Sequence, residues 1–396
     1  MNPKKFFFNI LRKIRFLLLS TLDFLTPKKS NCILFGSRAG NQYGDNSRFL
    51  FEWVRENMPN LNAYYLTADK KILNSEDKDK SIISYHSFAA LKKLLRAKKV
   101  FITHGFADMP YKSLCKKRHI IYFLGHGLSF KRTDLAAKEI DSKKARKFKR
   151  TTQKLFAYCS SGVERLAIHA YYGIPFDRIR ITGTPRNEVL WNNMKNKKNI
   201  QSNLENLFSF QNKSKKTILY APTYLPEQKN DFFSFEDFNM EQLKAFLEKN
   251  NLYLFLRMHR NDLLRYGKMA EDPSNNRIRI LDFDLVADVN TILYEFDILI
   301  TDFSSIFLDY LIVDKPIIFI TSILEEYQKQ TGFYFDYNSV TPGVKVKNFS
   351  EFLDSLNECL DKPEKWQEKR IVIANLFHEY QKGESCRKIM EYSMKD

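Results

Sequence analysis

Residues 297–306 read DILITDFSSI, a run of buried-type aliphatics that breaks into a threonine, a carboxylate and two serines just where a helix should begin. Ile298–Thr301 has no polar alternation, as expected of a strand covered on both faces, and such strands belong to parallel sheets. Ser304 or Ser305 is expected to cap the following helix, whose free N–H groups and positive end, with the two hydroxyls, would suit an anion such as a diphosphate. An isolated turn of this composition is more often an ordinary cap, in which Asp302 and the serines only tie down the chain.

Working outward, the same alternation of short β-branched or aromatic runs with helical stretches extends from residue 31 to the end. The predicted strands are Cys32–Phe35, Ala63–Leu66, Ser81–Ser84, Val100–Thr103, Ile120–Leu124, Leu155–Tyr158 and Arg180–Thr182 in the first half. Thr217–Tyr220, Leu252–Arg257, Ile278–Leu281, Ile298–Thr301 and Pro316–Ile320 follow in the second. Repeated βα units give an α/β fold with parallel sheets. The polar stretch 191–216, rich in Asn, Lys, Ser and Gln, separates the halves as a linker. The expected organisation is two tandem Rossmann-like domains, 31–190 and 217–372, facing a cleft, with a segment 1–30 before them and a C-terminal helix over 373–396. In such sheets ligands sit beyond the carboxyl ends of the strands.

The chain has 396 residues, 44% of them hydrophobic, which is enough for two cores and excludes a disordered tail or a stapled mini-protein. Its net charge is +18, concentrated in two stretches. Residues 1–30 carry seven basic and one acidic side chain, and residues 111–154 carry fourteen and three. This points to a polyanionic partner or an anionic surface. Residues 6–25, FFFNILRKIRFLLLSTLDFL, are interrupted by Arg12, Lys13 and Arg15, too early for a membrane span, and read as an amphipathic helix for a membrane surface or for packing on the first domain. The five cysteines share no CxxC spacing, so reduced thiols in a cytoplasmic protein are expected.

Chemistry-bearing residues recur at strand ends. Gly125-His126-Gly127 places an imidazole between glycines, with Lys131 and Arg132 beyond, and suits a general base on a hydroxyl or, equally, a solvated turn. Arg257-Met258-His259-Arg260 sets an imidazole between guanidiniums, which suits a phosphate or, equally, an edge-of-sheet histidine hydrogen-bonded to backbone. Arg186, in Thr182-Gly183-Thr184-Pro185-Arg186-Asn187, can grip a phosphate bidentately, and Thr223 offers a hydroxyl from Ala221-Pro222-Thr223. The loop Gly36–Asn46 is glycine-rich but lacks the GxGxxG spacing, and no GxxxxGK[ST] loop occurs.

In this order the groups resemble the CDP-glycerol glycerophosphotransferase family, whose members build the polyol-phosphate chains of teichoic acids and related capsules. The resemblance runs from Asn31 to the end and is strongest over residues 288–343, with Glu325-Glu326-Tyr327, Gly332–Asp336 and Pro342-Gly343 following the quoted stretch. Leu128, Arg260 and Phe303 stand where the family usually has a small hydroxyl residue, Pro and Tyr. The resemblance implies a GT-B-like fold, with the acceptor in the N-terminal domain and the nucleotide in the C-terminal one. It further implies attack of an acceptor hydroxyl on the phosphorus of CDP-glycerol or another CDP-polyol, releasing CMP. His126 and His259 become the catalytic histidines, with His126 as base. Arg186, Thr223, Asp302, Ser304 and Ser305 become donor contacts, and Asp45, Asn46 and Lys131 acceptor-side groups. No obligatory metal or other cofactor is expected. The partners implied are a lipid-linked polyanionic acceptor and the inner face of an anionic membrane. A GT-B glycosyltransferase using a nucleotide sugar is the alternative within enzymes. A basic nucleic-acid-binding protein is the alternative of another class, opposed by the lack of any helix-turn-helix, zinc-finger, RRM or KH signature.

Overall fold

The computed structural model describes residues 3–76, 79–111, 114, 118–128, 130–196, 203–208, 215–225, 233–258, 277–380 and 383–396, with backbone alone at 3–13, 203, 205 and 206. Seven strands form the first sheet: β1 (Lys29–Gly36), β2 (Asn62–Thr67), β3 (Ile82–Ser84), β4 (Ala97–Ile102), β5 (Ile120–Phe123), β6 (Phe156–Cys159) and β7 (Ile179–Ile181). Six form the second: β8 (Lys216–Tyr220), β9 (Leu252–Leu256), β10 (Ile278–Ile280), β11 (Ile298–Thr301), β12 (Ile317–Ile320) and β13 (Val344–Val346). The orders are β3-β2-β1-β4-β5-β6-β7 and β10-β9-β8-β11-β12-β13, and the pairings are parallel throughout. Each order reverses once, between β1 and β4 and between β8 and β11, and those reversals open the crevices in which doubly wound folds bind ligands.

Burial explains why these runs are strands. β11 is buried at every position and pairs Ile298 with Ile218 of β8 and Leu299 with Ile317 of β12. Its neighbours alternate between two cores: Leu219, Phe255 and Leu299 face one, and Ile218, Leu254 and Ile300 the other. The first sheet does the same, with Leu34, Val100 and Phe123 on one face and Ile33, Phe35 and Phe101 on the other. Each such side chain contributes roughly 1.5–3 kcal/mol by leaving water.

Several expectations need adjustment. β13 was not expected, because its three residues Val-Lys-Val carry too little pattern. It is set by the backbone: a Cβ at Gly343 would fall 2.1 Å from the Ile317 carbonyl oxygen, so only glycine lets this strand approach β12. The stretch 191–216 is not a plain linker among the described residues, since helices Pro185–Asn196 and Asn203–Phe208 occupy part of it. The expected boundary at 372/373 falls inside the helix Gln367–Phe377. The chain then ends in the helix Ser385–Lys395, which returns to the first sheet and packs Cys386, Ile389 and Met390 on Ile33, Phe35 and Tyr158.

At the other end, Pro3–Leu25 is helical. Arg118 donates to the Phe24 carbonyl at 2.9 Å, and a buried ion pair, Lys28 with Asp23 at 2.7 Å, closes the helix end. Leu17, Leu18, Leu22, Phe24 and Leu25 remain exposed. No helix of the described residues is long and apolar enough to cross a membrane. Cys32, Cys159, Cys359 and Cys386 are buried and free.

Candidate active site

Beyond the carboxyl ends of β1, β4 and β5, one carboxylate organises the loops. Asp108 is fully buried and accepts the N–H groups of Ala39 (2.8 Å), Thr103 (2.9 Å), His104 (2.7 Å) and Gly105 (3.3 Å). These bonds hold the loop after β1, including Arg38 and Ala39 at positive φ, against the loop after β4. The His104 ring lies parallel to that of His126, with centroids 4.2 Å apart and 13° between planes. Burial first, and then the neighbouring His126, push the His104 pKa down to about 3 against the pull of Asp45, whose carboxylate is 4.0 Å away. His104 is therefore neutral across the physiological range. His126 is exposed, and its Nδ1 is 3.3 Å from the Thr103 carbonyl. A carbonyl only accepts, so Nδ1 carries the hydrogen of this bond, which in the neutral ring leaves Nε2 as the unprotonated nitrogen.

His126 stands between two basins. One is a cleft of about 270 Å³ between the two sheets, with Arg38, Asp45, Arg186, Arg257, Ser304 and Ser305 in its wall. The other, also about 270 Å³, is lined by Gly127, Lys131, Thr133, Asp134, Tyr172 and Ser305. Expected residues from both halves thus meet here: Asp45, His126, Arg186, Ser304 and Ser305 in the first basin, and His126, Lys131 and Ser305 in the second.

Several of these residues have partners within the protein. Arg186 is buried, and its guanidinium is already engaged, one terminal nitrogen with the His126 carbonyl at 2.7 Å and the other with Asp309 at 2.5 Å. It holds the histidine loop rather than presenting an open fork. Asn46 receives the Arg186 backbone N–H at 3.0 Å and donates to the carbonyls of Leu124 and Gly125, so it joins the β1 and β5 loops. Asp302 accepts from the N–H groups of Thr223, Phe303 and Ser304, the turn-tying role that composition alone suggested. Lys131, expected on the acceptor side, donates to Thr223 Oγ1 at 3.0 Å, across to the second half. Burial pushes the Lys131 pKa down and that of Asp302 up, each opposed by the other's charge. Ser305 makes no side-chain cap bond, and the helix after it, Ile306–Tyr310, has only five residues, so its dipole is small.

Leu128 acquires a reason: it is buried among second-half core residues, and with Phe130 it plugs the loop after β5 into that core. Phe130 meets Phe307 edge to face and Phe333 at a tilt, and its carbonyl accepts the Tyr334 N–H at 3.1 Å. His259 and Arg260 lie outside the described residues. His104, Asp108 and Arg38 were missed in the sequence, as was Asp288, which also lines the cleft. Thr103-His104-Gly105 follows β4 as Gly125-His126-Gly127 follows β5, and that parallel was the available signal for the first of them.

The family described as CDP-Glycerol:Poly(glycerophosphate) glycerophosphotransferase matches residues 18–395. The chain is 28% identical over 392 residues to a teichoic acid poly(glycerol phosphate) polymerase of Bacillus spizizenii, covering 93% of each protein. It is 26% identical to the teichoic acid ribitol-phosphate polymerase TarL of Staphylococcus aureus, over 94% of this chain and 64% of that one. A teichoic acid poly(glycerol phosphate) polymerase of Bacillus subtilis is 27% identical over 84% of this chain, which spans only 44% of it. In fold, the chain superposes on the wall teichoic acid polymerase TagF with a TM-score of 0.82, at 21% identity and covering 98% of this chain and 97% of that one. With the two facing Rossmann-like sheets, the histidine between two basins and a match over nearly the whole chain, this protein belongs to the CDP-glycerol:poly(glycerophosphate) glycerophosphotransferase family.

Proposed function

We propose that this chain transfers a polyol phosphate from a CDP-linked donor to a hydroxyl of a cell-surface polymer or its lipid-linked primer, releasing CMP. The observation that carries this is the exposed His126 imidazole at the junction of two basins, with Nδ1 held by the Thr103 carbonyl. The acceptor oxygen would lose its proton to Nε2 and bond to the donor phosphorus while the bond from that phosphorus to CMP breaks. In-line transfer of this kind needs positioning and charge stabilisation above all. Arg38, Ser304 and Ser305, which line the cleft, would meet the diphosphate. His259 is proposed as a further phosphate contact. Arg186 and Asn46 act by holding the loop that carries His126. No resident metal is required in this reading, and the expected result is CMP release that survives EDTA.

The membrane reading rests on the exposed Leu17, Leu18, Leu22, Phe24 and Leu25 beside the basic N-terminal sequence. It places the chain peripherally, on the cytoplasmic face, where a lipid-linked acceptor would be met.

The deciding experiment measures CMP from CDP-glycerol and CDP-ribitol and UDP from a UDP-sugar, with membranes as the acceptor source. CMP from one CDP-polyol is expected, lowered about 10²–10⁴-fold in His126→Ala. UDP release with no CMP would move the protein to sugar transfer.

A further inference from the structure

A third cavity adjoins the site and has no part in the chemistry above. It measures about 410 Å³ and is walled by Phe106, Phe123, Phe148, Leu155 and Tyr172, with His104 also in its lining. Its lining is apolar, and at Gly105 an added Cβ would meet nothing within 4 Å, so the space is open at the backbone as well. Two features connect it to the reaction. Tyr172 belongs to this cavity and to the Lys131 basin, and His104, which also lines it, stacks on His126.

Its rim has the opposite character. The helix Ser142–Thr152, SKKARKFKRTT, carries six Lys and Arg and no acidic residue, and Lys144 and Lys147 stand exposed at the edge of the cavity while Phe148 of the same helix turns into it. An apolar chamber with two cations at its mouth matches a molecule that is hydrocarbon at one end and anionic next to it. A free inorganic anion would leave the chamber empty, and a nucleotide stacked on its aromatic wall would be displaced by CDP-glycerol, which the test below distinguishes.

We propose that this cavity receives the hydrocarbon chain of a lipid phosphate, with Lys144 and Lys147 on the phosphate. The inference rests on the transferase reading insofar as it makes that lipid part of the acceptor, whose hydroxyl end would enter the Lys131 basin beside His126. Specificity would then come from two ends of the acceptor, and a hydroxyl without the hydrocarbon would be a poor substrate.

The test uses the full chain and direct binding of three monophosphates of increasing hydrocarbon length, isopentenyl, geranyl and farnesyl phosphate, each below its micellar concentration. Each methylene withdrawn from water tightens binding about fourfold, so farnesyl phosphate is expected to bind at least tenfold more tightly than isopentenyl phosphate. Thr151→Trp, which fills the mouth of the cavity, should erase that difference. Lys144→Glu with Lys147→Glu should weaken all three by a similar factor. CDP-glycerol should not compete, and Leu17→Gln with Leu18→Gln, on the exposed N-terminal helix, should leave the series unchanged. Affinity independent of chain length overturns the proposal, as does loss of farnesyl phosphate to CDP-glycerol. Should Thr151→Trp fail to fold, the length series in the unaltered protein still decides. CMP release is measured separately. A chain that releases CMP without discriminating length overturns the cavity alone, and one that discriminates length but releases no CMP keeps the cavity and overturns transfer.

Discussion

The two stacked imidazoles divide their labour by solvation. His126 is exposed and His104 is enclosed, and the second acts as a flat neutral plate that fixes the ring of the first. His104→Phe keeps the plate and is expected to retain most of kcat, whereas His104→Ala frees the His126 ring and should lower kcat about tenfold or more. A pH effect separates this from general damage. His104 has a folded pKa of about 3, below its ordinary 6.5. The unfolded chain therefore binds the extra proton, and the stability from this group is complete above pH 6.5 and is lost as pH falls through that value toward 3. His119 and His378 are also pushed down by burial and add to the same acid sensitivity. Between pH 7 and 5, His104→Phe should lose about 1–2 kcal/mol less than the unaltered protein in denaturant titrations. At Arg186 the expectation is larger, because Arg186→Ala strands Asp309 as a buried charge. A loss of about 3–5 kcal/mol is expected in the same titrations.

At the level of elements, the loop after β5 is the part that joins the two halves. Leu128 and Phe130 seat in the second core, Lys131 reaches Thr223, and Arg132 donates to the Gly332 carbonyl at 3.1 Å, so His126 is carried on a loop pinned at both sides. Gly127 is the tight point. Its φ is +159°, and a Cβ there would lie 3.3 Å from Arg186 Nη2 and 3.4 Å from Ser305 Oγ. Gly127→Ala should cut CMP release and also lower the melting temperature, since the added Cβ is strained at this φ and crowds the buried Arg186 guanidinium. The C-terminal helix is the converse case. Tyr122 and Tyr158 of the first sheet donate to the Ser393 and Ile389 carbonyls at 3.0 and 3.2 Å, so the end of the chain completes a core begun at its start. Ile389 is wholly buried, and Ile389→Ala should cost about 2–5 kcal/mol, with protection from hydrogen exchange lost in β5 and β6.

For the whole molecule, the two sheets present their carboxyl ends to one cleft, and the apolar N-terminal surface lies outside that cleft. Replacing Leu17, Leu18 and Phe24 by Gln should therefore abolish sedimentation with anionic vesicles and leave CMP release from a soluble acceptor intact. What could be read from the residues alone was what is locally encoded. Runs such as Ile298–Thr301 and Leu252–Leu256 are strands because burial on both faces demands uninterrupted apolar side chains, and the polar groups at their ends mark the crevice because parallel strands all finish on the same side. The use made of those groups was not local. Lys131 meets Thr223 92 residues away, Arg186 meets Asp309 at a separation of 123, and Lys99 meets the Ser393 carbonyl at 294. A hydrogen bond or ion pair over such distances leaves no periodicity in the chain, so the sequence by itself determined two parallel sheets and the strand ends that carry chemistry. Only the packing of one half on the other decided which of those side chains face the cleft and which are consumed in holding it together.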